Sequence, residues 1–409
     1  MSPRPSPQPL SQGERGLSSP RPLGEGPGER GFELPPLAAY IHIPWCVKKC
    51  PYCDFNSHAA GPSLPEEAYV DALLADLDAD LEHVHGRPLT SIFFGGGTPS
   101  LFSARALGRL LEGVQRRVAF AEDIEITLEA NPGTFEQAKF KDYRALGINR
   151  LSIGVQSFQG QKLQALGRIH DGDEAIRAAD MARAAGFDNF NLDLMHGLPG
   201  QSIEDALFDL RTAIAQQPTH LSWYQLTMEP NTLFWSQPPE VPEDDILWDI
   251  QEAGQALLAA EGYAQYEVSA YAQAGRAARH NLNYWTFGDF IGIGAGAHAK
   301  LSNPDGRILR SWKTRLPKDY LDPAKAFQAG ERQLTADELP FEFLMNVLRL
   351  TDGVPASLFT ARTGLPLAQL GDARREAEQR GLLHPDSQRL CATREGQLFL
   401  NDLLQHFLP

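Results

Sequence analysis

Three of the four cysteines in this chain of 409 residues lie close together, at Cys46, Cys50 and Cys53. They occur in the stretch YIHIPWCVKKCPYCDF, from Tyr40 to Phe55, with a C-x3-C-x2-C spacing directly after an apolar run. That run predicts the end of a strand, which places the cysteines on the loop that follows it. Thiols spaced this closely on one loop indicate a common site.

The number of ligands indicates which metal group the loop binds. Three thiolates can each bind a different iron of a four-iron cluster, whereas structural zinc requires a closed set of four ligands. Cys391, the fourth cysteine, lies far downstream among polar residues. The spacing therefore predicts a [4Fe-4S] cluster with one iron left open for a small molecule. The alternatives are a zinc site completed by His42 or His58, and three unrelated buried thiols.

The composition restricts the compartment and the partners. No apolar run approaches the roughly 20 residues that span a bilayer, and the N-terminus has no apolar core of the secretory type. Cysteines that are clustered and few do not form a disulfide framework, so we expect a cytoplasmic protein. The formal net charge of -15 argues against general binding of nucleic acid.

Residues 1–35 are rich in Pro, Gly, Ser and Arg and nearly repeat themselves, with SPRP and GERG each occurring twice. Such a segment buries too little apolar surface to offset its chain entropy, so we predict a disordered, dispensable extension. A targeting peptide is the alternative, although interspersed Pro, Gly and Glu interrupt an amphipathic helix. Loss of cluster or ligand binding on deletion of residues 2–34 would contradict the prediction.

Residues 36–271 alternate β-rich runs with amphipathic helical runs. The predicted strands begin at Ala38, Ser91, Ile124, Arg150, Asn189 and His220, and the predicted helices cover 69–84, 104–118, 135–146, 172–185 and 203–215. Repeated βα units predict a parallel sheet with right-handed crossovers, either doubly wound or curled into a barrel. Six strands indicate an incomplete barrel.

The cysteine motif, with Tyr52 before its last cysteine, resembles the radical S-adenosylmethionine (SAM) superfamily, and HIPWCVKKCPYCDFNSH resembles its HemN/HemW branch. That branch contains oxygen-independent coproporphyrinogen III oxidases and related haem chaperones, and the resemblance begins near Leu37. It implies a partial (β/α)6 TIM-type barrel with its chemistry at the carboxyl ends of the strands. It also implies an electron donor such as flavodoxin or ferredoxin, and reductive cleavage of SAM to methionine and a 5'-deoxyadenosyl radical.

Polar residues end three successive predicted strands. One such residue is ordinarily a helix cap or a salt bridge, but three at one barrel mouth indicate a site. The turn Gly95-Gly96-Gly97-Thr98-Pro99 follows another strand and by itself predicts only a tight turn. By resemblance, the residues that hold SAM are Tyr40, Tyr52, Gly96, Gly97, Thr98, Glu129, Gln156, Arg168 and Asp193.

Residues 272–335 form a predicted connecting region that begins with RHNLNYW. From spacing alone, its His280 is a hydrogen-bonded core histidine. The HNxxYW pattern resembles haem chaperones of this branch, which makes His280 a candidate haem residue. The run GIGAGAHA lacks the βαβ context of a dinucleotide site and predicts a glycine turn beside the barrel. Arg307, Arg310, Lys313 and Arg315 form a basic cluster, ordinarily a solvated face and here also a candidate contact for propionates or an acidic partner.

Residues 336–409 are predicted to form a mostly helical domain that resembles a winged helix. Its helix over 367–380 mixes arginines with Asp372, Glu376 and Glu378, whereas DNA binding requires a basic recognition helix. We therefore predict a docking or lid module. That it contacts a membrane-bound haem protein is implied only by the resemblance.

Two functions within the branch compete. The oxidases typically carry a further cysteine two positions after the triplet, where this chain has Phe55. This difference, together with RHNLNYW, favours a haem chaperone that binds haem or porphyrin and transfers it to recipient haem proteins. An oxygen-independent coproporphyrinogen III oxidase is the alternative, and another radical SAM enzyme is a third.

Overall fold

Short apolar runs form every strand that the sequence predicts for the core. The computed structural model describes residues 33–133 and 139–409, so the extension up to residue 32 and the start of the helix predicted over 135–146 lie outside the described residues. The strands are β1 (Leu37–Ile43), β2 (Trp45–Cys46), β3 (His58–Ala59), β4 (Leu89–Gly96), β5 (Phe120–Ala130), β6 (Arg150–Gln156), β7 (Phe190–His196), β8 (His220–Gln225), β9 (Ala264–Glu267), β10 (Ala270–Ala272), β11 (Asp289–Ile293), β12 (His298–Ser302), β13 (Ile308–Lys313), β14 (Gln328–Gln333), β15 (Val354–Pro355) and β16 (Arg389–Leu390).

One large sheet organises the described part of the chain. Its twelve strands follow the order β14-β13-β12-β11-β1-β4-β5-β6-β7-β8-β10-β9. Pairing is parallel from β11 through β1 and β4 to β8, and antiparallel at both flanks. The six predicted parallel strands therefore lie side by side, and their carboxyl ends meet at one edge of the sheet.

Helices follow the parallel strands as βα units, and further helices form the C-terminal domain. They are α1 (Glu66–Asp80), α2 (Ala104–Arg117), α3 (Phe140–Ala145), α4 (Gly160–Ala165), α5 (Gly172–Ala184), α6 (Ile203–Ala215), α7 (Leu233–Ser236), α8 (Asp244–Ala260), α9 (Arg279–Trp285), α10 (Pro317–Tyr320), α11 (Leu339–Val347), α12 (Ser357–Thr363), α13 (Gly371–Gln379), α14 (Arg394–Leu398) and α15 (Leu400–Gln405). Capping boxes start two of them, with Asp171 and Glu174 at α5 and Ser202 and Asp205 at α6. Each box satisfies backbone N–H groups that the first turn leaves free.

The region from 272 to 335 adds strands to the core sheet. β11 pairs in parallel with β1, and β12 to β14 continue from it. The GIGAGAHA run forms the turn between β11 and β12, as the sequence predicts. Within it, a Cβ at Gly292 would lie 1.8 Å from the carbonyl oxygen of His298, so glycine permits the close approach of the two strands.

The basic cluster predicted as a solvated face is partly buried, which corrects that prediction. Lys313 is 1% exposed, and its Nζ lies 2.7 Å from Asp76 Oδ1 and 2.8 Å from Asp80 Oδ2. Arg310 forms an ion pair with Glu342 at 2.7 Å. These partners lie on α1 and α11, which the local sequence around the cluster does not reveal.

The C-terminal helices pack around an apolar core that includes Phe343, Phe359 and Leu403, and this core also contains Phe287 and Ile308 from the preceding region. The short strands β15 and β16 pair antiparallel. The chain ends in two short helices, α14 and α15, that meet at Phe399. Ion pairs join this domain to the core, among them Arg349 with Glu267 at 3.2 Å. No helix in the described ranges has the length and apolar character needed to cross a membrane.

Candidate cofactor site

The cysteine loop begins directly after β1, which pairs in parallel with β4 on one side and β11 on the other. The two ends of the loop are held together because β2 pairs with β3. All three thiols are free of disulfides and partly exposed. Burial raises the pKa of the Cys46 and Cys53 thiols, and the neighbouring cysteines raise it further. The three sulfur atoms are therefore close enough to interact electrostatically.

The donor set fits an iron–sulfur cluster. Cys50 and Cys53 border a cavity of about 540 Å³, which leaves room beside the thiols. A cationic side chain also faces them, since Arg168 Nη1 lies 3.7 Å from Cys50 Sγ. Thiolates next to such a charge and an open cavity suit a cluster that must accept electrons and admit a small molecule.

The glycine turn after β4 packs tightly against the protein itself. A Cβ at Gly96, whose φ is +109°, would lie 2.4 Å from the His42 ring, and one at Gly97 would lie 2.5 Å from the Trp45 carbonyl oxygen. The Gly97 and Thr98 N–H groups donate to Ile43 and Trp45 backbone oxygens. Glycine is therefore required here to bring the turn against the base of the cysteine loop.

Two buried carboxyl groups lie on β5 and β7: Glu129 is next to the carboxyl end of β5, whereas Asp193 is in the middle of β7 and not at the strand end that the sequence predicts. Burial and the nearby Asp193 carboxylate raise the pKa of Glu129 to about 8. Burial also raises the pKa of Asp193, although Asn191 and Ser152 donate hydrogen bonds to it at 2.7 and 3.0 Å. Glu129 accepts the Gly96 N–H at 3.2 Å. Because Asp193 adds to the cost of ionising the buried Glu129, this pair of acids makes a site suited to a cationic ligand.

A hydrogen-bonded bridge crosses the site and includes a residue that the sequence analysis missed. Asn131 Nδ2 donates to Thr98 Oγ1 at 3.0 Å, and Arg168 Nη2 donates to Asn131 Oδ1 at 2.8 Å. Arg168 also donates to the Gly154 carbonyl oxygen at 2.5 Å. Asn131 follows the predicted strand LEA directly, so its position after a strand end was an available signal.

Gln156 and the two predicted tyrosines join the same arrangement. Gln156 ends β6 with a φ of +68°, an uncommon conformation for a residue other than glycine, and accepts the hydroxyl of Tyr224 at 2.9 Å. Tyr52 interacts electrostatically with Arg168, and Tyr40 with Glu129. The structure therefore brings the nine predicted SAM residues together around the parallel strands and the cysteine loop, and their contacts with SAM stay a prediction. Tyr224, at the end of β8, was missed.

His280 is buried on the first turn of α9. Its Nδ1 lies 3.1 Å from Glu125 Oε1, and its ring centroid lies 4.2 Å from that of Phe93. Burial lowers the pKa of His280. Burial also acts to raise the pKa of Glu125, but the hydrogen bond from His280 and the charge of Arg150 outweigh it and lower the pKa of Glu125 to about 2. A neutral imidazole thus donates Nδ1–H to a carboxylate. This is the geometry of a hydrogen-bonded core histidine, and the haem role of His280 stays a prediction.

A chain of hydrogen bonds connects the HNxxYW helix to the buried acids. Asp193 accepts from Asn191, whose Oδ1 lies 2.7 Å from His220 Nδ1. His220 Nε2 lies 2.8 Å from the Tyr266 hydroxyl, and Asn281 Nδ2 donates to that hydroxyl at 3.0 Å. Polar groups buried in such a chain orient one another. Asn281 therefore helps to orient Asp193 through this chain of hydrogen bonds.

Comparison with known proteins agrees with this architecture. Residues 40–213 match the model for the Radical SAM superfamily, and residues 334–399 match that for the HemN C-terminal domain. The solved structure of coproporphyrinogen III oxidase (HemN) from Escherichia coli, described as a radical SAM enzyme, superposes with a TM-score of 0.77 at 23% identity, covering 91% of this chain and 90% of that one. The predicted partial barrel and C-terminal domain are confirmed.

Fold and site thus define a member of the radical SAM superfamily, which implies a [4Fe-4S] cluster and SAM. Heme chaperone HemW of Escherichia coli is 55% identical over 376 residues, covering 92% of this chain and 99% of that protein. HemW of Haemophilus influenzae is 52% identical, and that of Bacillus subtilis 33%, over similar shares of each chain. The chain belongs to the HemW family.

Proposed function

We propose that this protein is a haem chaperone, which binds haem and transfers it to recipient haem proteins. The observation that carries the proposal is the 55% identity to a heme chaperone along 92% of this chain and 99% of the relative. Phe55, where the oxidases of the branch typically carry a further cysteine, supports it independently. The cofactor site lies within the radical SAM core, and we propose that the chaperone function is built on this core.

Within that core, Cys46, Cys50 and Cys53 would hold the [4Fe-4S] cluster, and the nine residues named above would hold SAM. When bound together, cluster and SAM supply one-electron reductive chemistry. The protein's own contribution is orientation: Glu129 and Asp193 offer carboxylates to a cationic amino group and to ribose hydroxyls. An ammonium beside Glu129 would favour its ionised form, so we expect SAM binding near neutral pH to release about one proton.

Partners follow from the same proposal. A cluster that works by electron transfer requires a donor, and a small protein such as flavodoxin or ferredoxin fits that need. Haem recipients, membrane-bound haem proteins among them, are proposed to dock on the helical domain. We propose the division into 36–271, 272–335 and 336–409, with the last as the docking module.

The decisive experiment reconstitutes the cluster anaerobically and offers haem and coproporphyrinogen III in parallel. We expect stable binding of haem and no decarboxylated product. Formation of that product would favour the alternative function, an oxygen-independent coproporphyrinogen III oxidase.

The role of His280 is tested by titrating His280→Ala with haem. Because the imidazole is also a partner of Glu125, His280→Gln serves as a second variant that can keep a hydrogen bond to the carboxylate. Weaker binding with an altered haem spectrum in both variants supports the haem role. Unchanged affinity and spectrum in both would reject it.

A further inference from the structure

A second cavity opens beside the far end of the cysteine loop. It has a volume of about 720 Å³ and lies where residues 54–56 meet strands β11 to β13. Asn56 joins the two sides, since its Nδ2 donates to the carbonyl oxygens of Ala295 and Arg315 at 2.9 and 2.8 Å. This cavity, which we call the rim groove, falls within the size range of cofactor pockets.

Aromatic rings form much of the rim groove. Tyr284, Phe290 and Trp312 border it, and the Tyr284 and Phe290 rings meet edge to face with centroids 4.7 Å apart. Phe55 borders it from the cysteine loop and is 61% exposed. Exposed aromatic faces around a cavity suit a flat, largely apolar ligand, because such a ligand can stack on them.

One cation at the rim groove is available to an anionic ligand. Lys313 borders the groove, but its Nζ is held by Asp76 and Asp80. Arg315 is exposed and has no ion-pair partner among the residues that the structure describes. Asp54 is the carboxylate at the same rim. Arg315 can therefore pair with a carboxylate that projects from the edge of the ligand.

Two histidines, His42 and His298, border the groove, and His298 can act as a metal ligand. Both ring nitrogens of His42 are already hydrogen-bonded, since Nδ1 lies 2.9 Å from the Tyr40 hydroxyl and Nε2 lies 2.9 Å from the Asn56 carbonyl oxygen. His298, opposite Trp312 in the β12–β13 pairing, is exposed and makes no side-chain hydrogen bond within the described ranges. Partial burial and the charges of Arg310 and Arg315 lower its pKa, which keeps the imidazole neutral near neutral pH.

We propose that the rim groove is a haem site in which His298 donates its imidazole nitrogen to the iron, the aromatic rings contact the macrocycle, and Arg315 pairs with a propionate. This inference rests on the proposed function for the identity of the ligand. It goes beyond that function by assigning the haem site. This site does not include His280, which is not among the residues that border the groove. A planar macrocycle, a nitrogen ligand and an anionic edge are the three features that these side chains together recognise.

The test titrates the full chain with haem and, separately, with metal-free protoporphyrin IX. The variants are His298→Ala and Arg315→Ala, with His384→Ala and Arg307→Ala as matched controls elsewhere on the surface. His384 is exposed in the C-terminal domain, and Arg307 pairs with Asp305 at the far end of the same hairpin. We expect His298→Ala to weaken haem binding by about tenfold or more and to alter the haem spectrum, since an iron ligand is lost.

Metal-free protoporphyrin separates ligation from packing. His298→Ala should leave its affinity within about twofold, whereas Arg315→Ala should weaken both porphyrins by about three- to tenfold. The control variants should bind like the wild type. A haem affinity and spectrum unchanged by His298→Ala would overturn the assignment and leave the proposed function intact. Failure of the wild type to bind haem would refute both.

Discussion

Replacement of Glu129 by glutamine tests whether the candidate SAM site contains a carboxyl group that folding holds neutral. The folded protein raises the pKa of this group from 4.5 to about 8, through burial and the neighbouring Asp193. Glutamine has nearly the same shape, and its carbonyl oxygen can still accept the Gly96 N–H. It does not titrate, so the variant isolates the cost of keeping Glu129 protonated.

The magnitude follows from the linkage between protons and folding. Between the unfolded and folded pKa values, the folded state binds the proton that the unfolded state has released, so stability falls as pH rises. Each pKa unit corresponds to about 1.4 kcal/mol. From about pH 5 to pH 7, the wild type should therefore lose roughly 3 kcal/mol relative to Glu129→Gln.

The assay is urea unfolding of the cluster-free protein, wild type and variant, at several values across that pH range. Titrations shared by both chains cancel in the difference, so the difference should grow with pH in favour of glutamine. Glu331→Gln, at an exposed position on the edge strand β14, is the matched control and should give a flat difference. A flat difference for Glu129→Gln as well would refute the inference that Glu129 is neutral in the folded protein.

Three further changes have defined outcomes. Cys50→Ser should abolish iron and sulfide incorporation on anaerobic reconstitution, while Cys391→Ser, whose thiol hydrogen-bonds the Thr351 backbone in the C-terminal domain, should retain it; equal loss in both would contradict the three-cysteine cluster. Lys313→Met should cost about 3–5 kcal/mol in urea unfolding, because its two buried aspartate partners lose their counter-charge, and a cost near zero would contradict the ion-pair geometry. Tyr266→Phe should cost about 1–3 kcal/mol, because its hydroxyl joins the buried His220 to the half-buried Asn281, and an unchanged unfolding midpoint would argue against that connection.

The parallel core was predictable because each of its strands is encoded locally. Apolar runs such as Leu37–Ile43 end in turns, and the helices between them carry amphipathic patterns and caps that need no distant partner. The added strands β11 to β14 were not predicted. β11 is five residues long, and it lies next to β1 although more than 240 residues separate them. Strand order of this kind depends on long-range pairing, which no local pattern specifies.

The residues of the candidate site also fall into two groups, those that the local sequence identifies and those that depend on contacts with distant residues. Polar residues at strand ends, such as Glu129 and Gln156, were identifiable because the carboxyl ends of parallel strands must meet. Asn131 also follows a strand end, but its role and that of Tyr224 depend on hydrogen bonds to Arg168 and Gln156, which no local pattern reveals. A side chain that acts through another side chain has no periodicity or spacing of its own.

By itself, the sequence determined that three cysteines share one loop, since they lie within eight residues, and it thereby indicated the class of cofactor. Only the tertiary structure decided what surrounds that loop. It buried Lys313 between two aspartates and placed His298 at a groove bordered by Phe55. It also left Arg315 without an ion-pair partner among residues 33–133 and 139–409. Those residues come from segments about 240 residues apart, and the physical reason they meet is the pairing of β11 with β1.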